Sequence, residues 1–266
     1  TFEKGRYTKT SIAFMYINGI SRPEIIDKIR KKIQEIDIDG IPDSSYVSKL
    51  LNERKTSLFK QVGSTERPDV LIERMLEGRA GIIVDGSPFA LTLPYLLIED
   101  FQAAEDYYIS EYRANLVRAL RVIAMIFSIL LPSVFVAAQL FHLQIIPLNF
   151  LLTIVNGIKE IPFSPSLEMF FVLLIFELLN ETSVRMPKYV GMALAVVGAL
   201  VLGETAVNAG IVSTPAILIM ALSGISIYAI PELVETTSVL RFIYLIVAGS
   251  LGGYGLILIT AFLIIY

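Results

Sequence analysis

The chain has 266 residues, a formal net charge of −3 and no cysteine. This composition excludes disulfides, iron–sulfur clusters and cysteine-based zinc sites, and nothing in it suggests the basic face that a nucleic-acid partner requires. The charges are strongly segregated, because residues 1–118 hold 35 of the 47 charged side chains. So few charges over the rest of the chain do not suit a water-facing surface, and they predict a lipid-facing one.

The sequence therefore predicts two domains. Residues 1–115 form a water-soluble α/β domain, and residues 116–266 form a helical transmembrane domain. The chain starts at Thr1 without a signal peptide and stops at Tyr266 directly after an apolar run, so we expect a fragment that is truncated at both ends.

Strands and helices alternate in the first domain, a pattern typical of an α/β fold. Apolar, β-prone runs that end in turn residues predict the strands, and an isoleucine stripe opposite basic residues predicts the first helix. Ser21 is the expected N-cap of that helix, since Pro23 suits the first helical turn. The expected elements are strand Ser11–Ile17 followed by a turn at Asn18-Gly19, helix Pro23–Ile36, helix Ser44–Glu53, helix Pro68–Leu76, strand Ala80–Val84 and strand Phe89–Leu93.

Apolar runs in the second domain predict about five membrane-spanning helices and one short interfacial or re-entrant segment, Ile145–Ile158. The expected spans are Ala119–Phe141, Leu167–Leu179, Tyr189–Leu202, Ile211–Ile230 and Phe242–Tyr266. With five spans, the basic residues at three places share one face of the membrane. These places are before the first span, between the second and third spans, and at the start of the fifth. The positive-inside rule makes that face cytoplasmic, together with the N-terminal domain.

Charged residues inside the second domain are where function is expected, because a carboxylate at membrane depth is costly unless it faces water or a partner. Glu168 and Glu181 lie near the ends of their helix, where headgroup water is within reach, and Glu177 lies deeper. Two interpretations of Glu177 stay open. It forms a structural ion pair with Arg185, eight residues later, or it lines a water-filled cation pathway.

Small and hydroxylated residues mark the helices that water can approach. They also serve the close packing of membrane helices, so a pore wall and a packing surface both stay open for them. Glu204, in the hairpin after the third span, is either a pathway residue or a simple loop acid. The candidates of this kind are Gly198, Ser213, Thr214, Ser223 and Ser226.

The first domain offers a second group of candidates among its charged and turn residues. They are Glu66, Arg67, Pro68, Asp69, Gly78, Arg79, Asp85 and Gly86. A ligand site is conceivable there, but ion pairs and turn contacts that hold loops are the favoured interpretation. The chain has no phosphate-binding loop and no zinc-binding HExxH pair, which argues against an enzyme and predicts no cofactor, metal or catalytic residue. Acid catalysis by Glu177 and Glu204 is the one enzymatic alternative.

Several short motifs are weak alone but specific in their order and spacing. In the first domain they lie at residues 16–20, 66–69, 77–79, 84–88 and 106–108, and in the second at residues 161–163, 176–179, 184–187, 198–204 and 209–213. Through these motifs, almost the whole chain resembles the A subunit of the GerA-type spore germination receptors. Asn180 departs from the family pattern, in which Arg is expected.

The resemblance implies a multi-pass protein of the spore inner membrane that acts with a transporter-like B subunit and a lipoprotein C subunit. It also implies that the B subunit binds the nutrient, while the A subunit forms an oligomeric, ligand-gated cation channel that triggers germination. Our hypothesis is a homo-oligomeric ring in the lipid bilayer, with the third and fourth spans as the pore wall. A signal-transducing scaffold without its own pore and a secondary transporter are the alternatives.

Overall fold

The computed structural model describes residues 1–54, 57–158, 161–187, 190–191, 196–198 and 200–265, with the backbone alone at positions 184 and 202. The chain divides into two compact units, Thr1–Glu111 and Tyr112–Tyr266. The first unit contains a sheet and helices, and the second is helical. Part of the expected span Tyr189–Leu202 lies outside the described residues.

The N-terminal unit contains a five-stranded, wholly antiparallel sheet with the strand order β1-β2-β4-β5-β3. Its strands are β1 (Phe2–Lys4), β2 (Thr10–Met15), β3 (Gly63–Thr65), β4 (Ala80–Val84) and β5 (Ala90–Leu93). The expected mixture of helices and strands is confirmed. Their alternation does not produce a parallel sheet, because a tight turn joins β4 to β5 and such a turn connects only antiparallel neighbours. The short strands β1 and β3 escape prediction, since three residues show no periodicity.

The three helices of this unit lie close to the bounds predicted from the sequence. They are α1 (Pro23–Glu35), α2 (Ser44–Leu51) and α3 (Pro68–Leu76). Ser21 is not the N-cap of α1, however. Arg22 occupies that position without a side-chain cap, and the Ser21 hydroxyl is buried with no hydrogen-bond partner among the described residues. Pro23 fixes the start of this helix instead, because its φ suits the first turn.

Helices cover both faces of the sheet. Ile33 of α1 packs with Ile82 of β4 in the main core, and both side chains are fully buried. Neighbouring residues of a strand point to opposite faces. Gly81 is the neighbour of Ile82 in β4 and therefore points to the other face. A side chain there would lie 3.0 Å from Leu71 and 3.2 Å from Met75, both on α3. The unit therefore has three layers, with the sheet in the middle.

The C-terminal unit is built from helices of different lengths. They are α4 (Glu111–Phe141), α5 (Leu148–Ile158), α6 (Pro165–Arg185), α7 (Thr214–Ile227) and α8 (Val234–Ile265), with a π-helical turn at Val201–Thr205 before α7. In the described part of the chain, the segments Glu111–Phe141 and Pro231–Ile265 are long and apolar enough to cross a membrane. The five expected spans are not established by this finding, since α7 has only 14 residues.

The longest helix, α8, contains a break at Gly252. The backbone there has φ 61° and ψ −146°, a conformation that is almost confined to glycine. The Tyr244 hydroxyl donates a hydrogen bond to Thr260 Oγ1 across the break, at 3.2 Å. A straight helix would hold the Cα atoms of these two residues about 24 Å apart, which is too far for their side chains to bridge.

A second contact across the break leads to the same conclusion. A side chain at Gly255 would lie 2.7 Å from Val247, eight residues earlier in the chain. Residues 234–251 and 253–265 are therefore the two arms of a helical hairpin. The expectation that Phe242–Tyr266 forms one continuous span is wrong, because apolar periodicity is the same in a straight helix and in one that reverses at a glycine.

Replacing Ile33 by alanine should destabilise the N-terminal unit by about 2–5 kcal/mol, because truncating a fully buried side chain leaves a cavity. Ile72 of α3 is 56% exposed and gives a matched control, whose replacement by alanine should change little. Pulse proteolysis of the membrane-bound chain across a denaturant series measures both. Equal losses in the two variants would contradict the assignment of this core.

Candidate functional site

A buried ion pair lies inside the C-terminal unit. Arg241 of α8 is 1% exposed, and its Nη1 atom lies 3.2 Å from Oε1 of Glu177 on α6. The Ser238 hydroxyl donates a hydrogen bond to the other carboxylate oxygen at 3.0 Å. The guanidinium carbon lies 5.2 Å from the centre of the Phe176 ring, within the range of cation–π attraction. Each charge therefore has an opposite charge beside it, while Nε of Arg241 is buried with no hydrogen-bond partner among the described residues.

The second guanidinium nitrogen extends this network to two more helices. Nη2 of Arg241 donates to Ser223 Oγ on α7 at 2.8 Å, and the Ser223 hydroxyl donates to the Ser128 carbonyl on α4 at 2.8 Å. That carbonyl is available because Pro132, four residues later in α4, has no N–H to donate. The arginine cluster, which joins four helices, consists of Arg241, Glu177, Ser238, Ser223 and the Ser128 carbonyl.

Of the two interpretations of Glu177, the ion pair with Arg185 is wrong. Arg185 binds Glu181, one turn earlier in α6, with Nε 2.7 Å from Oε1, and both side chains are largely exposed. A pair eight residues apart would have to bridge about 12 Å along the helix axis. Arg241 instead reaches Glu177 from another helix, 64 positions further along the chain.

Glu168 is buried, whereas the sequence predicted that its side chain reaches headgroup water. It is 2% exposed, and its Oε1 accepts a hydrogen bond from the Ser213 backbone N–H at 2.6 Å. The Ser213 hydroxyl caps α7 by accepting from the Ala216 N–H at 3.3 Å. A carboxylate is favourable at this end of a helix because the unpaired N–H groups carry partial positive charge. Ser213 and Glu168 therefore anchor the start of α7 within the chain.

The remaining candidates of this unit lie in separate environments. Glu204 is exposed on the π-helical turn, and Thr214 is exposed at the start of α7. Ser226 donates its hydroxyl to a carbonyl one turn earlier in α7, at 2.8 Å. Gly198 permits close packing, since a side chain there would lie 2.8 Å from Leu179 of α6. These residues do not gather into one site within the part of the chain that the structure describes.

A cavity of 370 Å³ lies between α6 and α7. In its wall, the Tyr228 hydroxyl donates a hydrogen bond to Asn180 Oδ1 at 2.6 Å. Asn180, which departs from the expected family pattern, therefore has a polar partner. Every described residue that lines the cavity is uncharged. The cavity therefore offers no counter-charge to an ion.

In the N-terminal unit, Arg67 holds two carboxylates. It makes a bidentate pair with Asp69, at 2.8 and 3.2 Å, and it also contacts Glu105. Hydrogen bonding to Arg67 holds the pKa of Asp69 below its ordinary value. The pKa of Glu105 is lowered first by its own backbone N–H and then by Arg67. Pro68 begins α3, and Glu66 beside it is exposed.

Arg79 belongs to a different cluster. Its Nη2 atom lies 2.6 Å from Oε1 of Glu99, a buried carboxylate whose other oxygen lies 3.4 Å from Arg74 Nη1. Arg79 also donates to the Pro94 carbonyl at 3.1 Å. Burial raises the pKa of the Glu99 carboxyl, and the two arginines oppose that rise. Gly78 precedes this arginine with φ 93°, which ends α3 and turns the chain into β4.

Asp85 and Gly86 form the turn between β4 and β5. The Asp85 backbone N–H donates to the Ser11 carbonyl at 2.9 Å, while its side chain is exposed. Beyond the turn, the Ser87 hydroxyl donates to Asp43 at the N-cap of α2, at 2.5 Å. The motif residues of this unit are thus distributed over separate ion pairs and turns.

Sequence reasoning misses the partners that complete these clusters. Glu99 and Glu105 are distant in sequence from the motif arginines that they contact, and no periodicity links them. Arg241 does carry a signal, since it is the one basic residue after position 188, and a lone guanidinium among apolar residues requires a carboxylate. Within the described residues, no group of three or more histidine or acidic side chains is placed to hold a metal ion.

A charged unit with a sheet is followed by a helical unit whose described part contains two segments long and apolar enough to cross a membrane, a pattern found in membrane proteins. The family model described as "Bacillus/Clostridium GerA spore germination protein" matches residues 1–266. The chain therefore belongs to the GerA family of spore germination proteins. Sequence reasoning on its short motifs is confirmed in this respect.

Curated relatives support the same family. Spore germination protein KA of Bacillus subtilis (strain 168) is 41% identical over 258 residues, which are 96% of this chain and 47% of that protein. The uncharacterized membrane protein YfkQ of the same strain is 37% identical over 268 residues, covering 100% and 52%. GerQA of Bacillus cereus is 35% identical over 262 residues, covering 98% and 52%. The chain spans about half the length of these relatives.

Among solved structures, the N-terminal domain of the A subunit of the Bacillus megaterium spore germinant receptor GerK3 is similar to this chain. The two are 45% identical, and the match covers 35% of this chain and 37% of that one with a TM-score of 0.28.

Replacing Arg67 by glutamine should raise the pKa of both Asp69 and Glu105 towards ordinary values. The increase should be larger for Asp69, whose pKa is lowered mainly by Arg67. Because the folded-state pKa values are depressed, this stabilisation is present above the ordinary carboxyl pKa and is lost as the pH falls through the folded values. Carboxyl ¹³C NMR titration measures the change. Asp37, held low by Arg6, is the internal control and should not move.

Replacing Arg241 by methionine should destabilise the helical unit by up to about 3–5 kcal/mol, because Glu177, whose side chain is only 20% exposed, is left without its counter-charge. Adding Glu177→Gln should restore most of this stability. The matched control is Arg185→Met, which removes an exposed i,i+4 pair and should change little. Thermal unfolding in detergent measures all three variants. Additive losses in the double variant would show that the two residues are not coupled.

Proposed function

We propose that this chain is part of the A subunit of a nutrient-sensing spore germination receptor, whose helical unit forms a ligand-gated cation pathway in a homo-oligomer. The family match and the germination proteins among its relatives support a role in germination. In this proposal the protein lies in the spore inner membrane with B-type and C-type receptor subunits. Its N-terminal unit is cytoplasmic, and its helices cross the lipid bilayer several times.

The arginine cluster is the observation that supports a pathway between copies rather than through one copy. A cation needs carboxylate or other oxygen ligands along its route. Glu177 is neutralised by Arg241 inside a single chain, and the cavity beside α6 is lined by uncharged residues. The interior of one copy is therefore a poor route for an ion. A pathway between copies, lined by residues that are exposed in the single chain, suits the charges better.

Glu204 and Thr214 fit that requirement among the candidates from the sequence. Both are exposed, whereas Ser213 and Ser223 are buried in contacts within the chain. Glu204 also lies on a π-helical turn, an irregularity that is frequent at functional sites. The proposed pore wall thus places Glu204 at the cation-attracting position and retains Glu177 for stability.

Gating in this proposal is a shift between two arrangements of the helices. A nutrient bound to a partner subunit opens the pathway only if it favours the open assembly over the closed one. The arginine cluster joins α4, α6, α7 and α8 through few, directional contacts, so the four helices would move as one body. A constriction of apolar side chains between copies would hold the closed state by excluding water.

Replacing Glu204 by glutamine should lower nutrient-stimulated potassium efflux and reduce the preference for cations over anions, because a carboxylate is lost from the pathway. The measurement uses liposomes that carry the full-length protein with its B-type and C-type partners. Glu235→Gln is the matched control, since it removes another exposed carboxylate at the start of α8 and should leave efflux unchanged.

Two results would count against the proposal. Unchanged efflux in the Glu204→Gln variant would remove this residue from the pathway. Efflux no greater than that of empty liposomes, in a preparation shown to be folded and oligomeric, would favour the alternative of a signal-transducing scaffold without its own pore.

A further inference from the structure

The tip of the α8 hairpin lies against the end of α4 and the start of α6. A side chain at Gly252 would lie 2.6 Å from the ring of Phe141, the last residue of α4. A side chain at Gly249 would lie 2.6 Å from the hydroxyl of Ser166, the second residue of α6. These three chain segments therefore share one end of the helical unit, which we call the tip side.

The first arm of the hairpin runs antiparallel to α6. Gly249 lies next to Ser166, and Ser238 binds Glu177. The step from Gly249 back to Ser238 along the arm therefore matches a step of equal length forward along α6, from Ser166 to Glu177. The two helices stay side by side over about 16 Å. The base of the hairpin, near Val234, therefore lies away from the tip side. The start of α4 also lies away from it, because α4 ends at Phe141.

We infer that α8 lies in the membrane as a helical hairpin whose first arm crosses it and whose second arm returns through it, so that Ile265 lies back towards the face at which α4 begins. The first arm, residues 234–251, has a length of about 27 Å, which is close to the hydrocarbon thickness. The second arm, residues 253–265, covers about 20 Å on the way back. With the other expected spans this adds, to the five crossings, a sixth segment that returns over about two thirds of the hydrocarbon thickness.

The distribution of charges is compatible with the additional crossing. No lysine or arginine follows Arg241, so the second arm moves no basic residue from one face of the membrane to the other. Tyr254 lies beside the tip and is strongly exposed, as suits a tyrosine at the boundary between lipid and water. Gly255 keeps the arms close, since any side chain there would collide with Val247.

A distance between two spin labels tests the hairpin in the full-length protein. In a cysteine-free background, Val239→Cys and Ile264→Cys place labels on exposed positions of the two arms. A straight helix separates these positions by about 38 Å, whereas the hairpin brings them to within about half of that distance. Dilution with unlabelled protein removes distances between copies. The control pair, Val239→Cys with Leu251→Cys, lies within one arm and should give about 18 Å in either case.

A labelling experiment tests the crossing itself and does not depend on ion conduction. A membrane-impermeant maleimide should reach Glu232→Cys, before the first arm, from one face of sealed vesicles, and Tyr254→Cys from the other face. Reaction of both positions from the same face would overturn the first crossing. A distance near 38 Å between positions 239 and 264 would overturn the second.

Discussion

Burying one guanidinium among apolar helices constrains the whole helical unit of this protein. The charge of Arg241 cannot be left without acceptors in such an environment, and its partners come from helices that are far apart in the chain. Glu177 supplies the counter-charge, and Ser223 passes a hydrogen bond on to the Ser128 carbonyl. Pro132 makes that carbonyl available by interrupting the hydrogen bonds of α4. The loss of any one of these groups affects the others.

This constraint also bears on function, because it occupies charges that would otherwise serve an ion. A carboxylate already paired with a buried guanidinium attracts a passing cation weakly. Glu204, which is exposed on the helical unit, is available to a neighbouring copy or to water. A pathway built between copies therefore agrees with the internal electrostatics of the chain.

In the N-terminal unit, motif arginines fasten the segment that leads into α4. Arg79 binds the Pro94 carbonyl and Glu99, and Arg67 contacts Glu105. These contacts attach residues 94–105 to α3 and β4, and α4 begins a few residues later at Glu111. The ion pairs therefore hold this segment against the rest of the N-terminal unit.

The sequence alone was sufficient for features that depend on local or averaged chemistry. The segregation of charge predicts a charged unit followed by an apolar one, and proline, glycine and isoleucine patterns predict α1, α2 and α3 to within two residues. Motif order was enough to identify the family. Each of these signals is contained in a short window or in composition, so no tertiary contact is needed to detect it.

Only the tertiary structure decided which distant groups meet. The pairing of Glu177 with Arg241 rather than Arg185, the burial of Glu168 and the reversal of α8 at Gly252 all depend on packing between helices. An apolar helix has the same periodicity whether it runs straight or turns back, and a lone charge shows the need for a partner without naming it. The physical reason is that local propensities act over a few residues, whereas burial and ion pairing are settled by side chains brought together from remote positions.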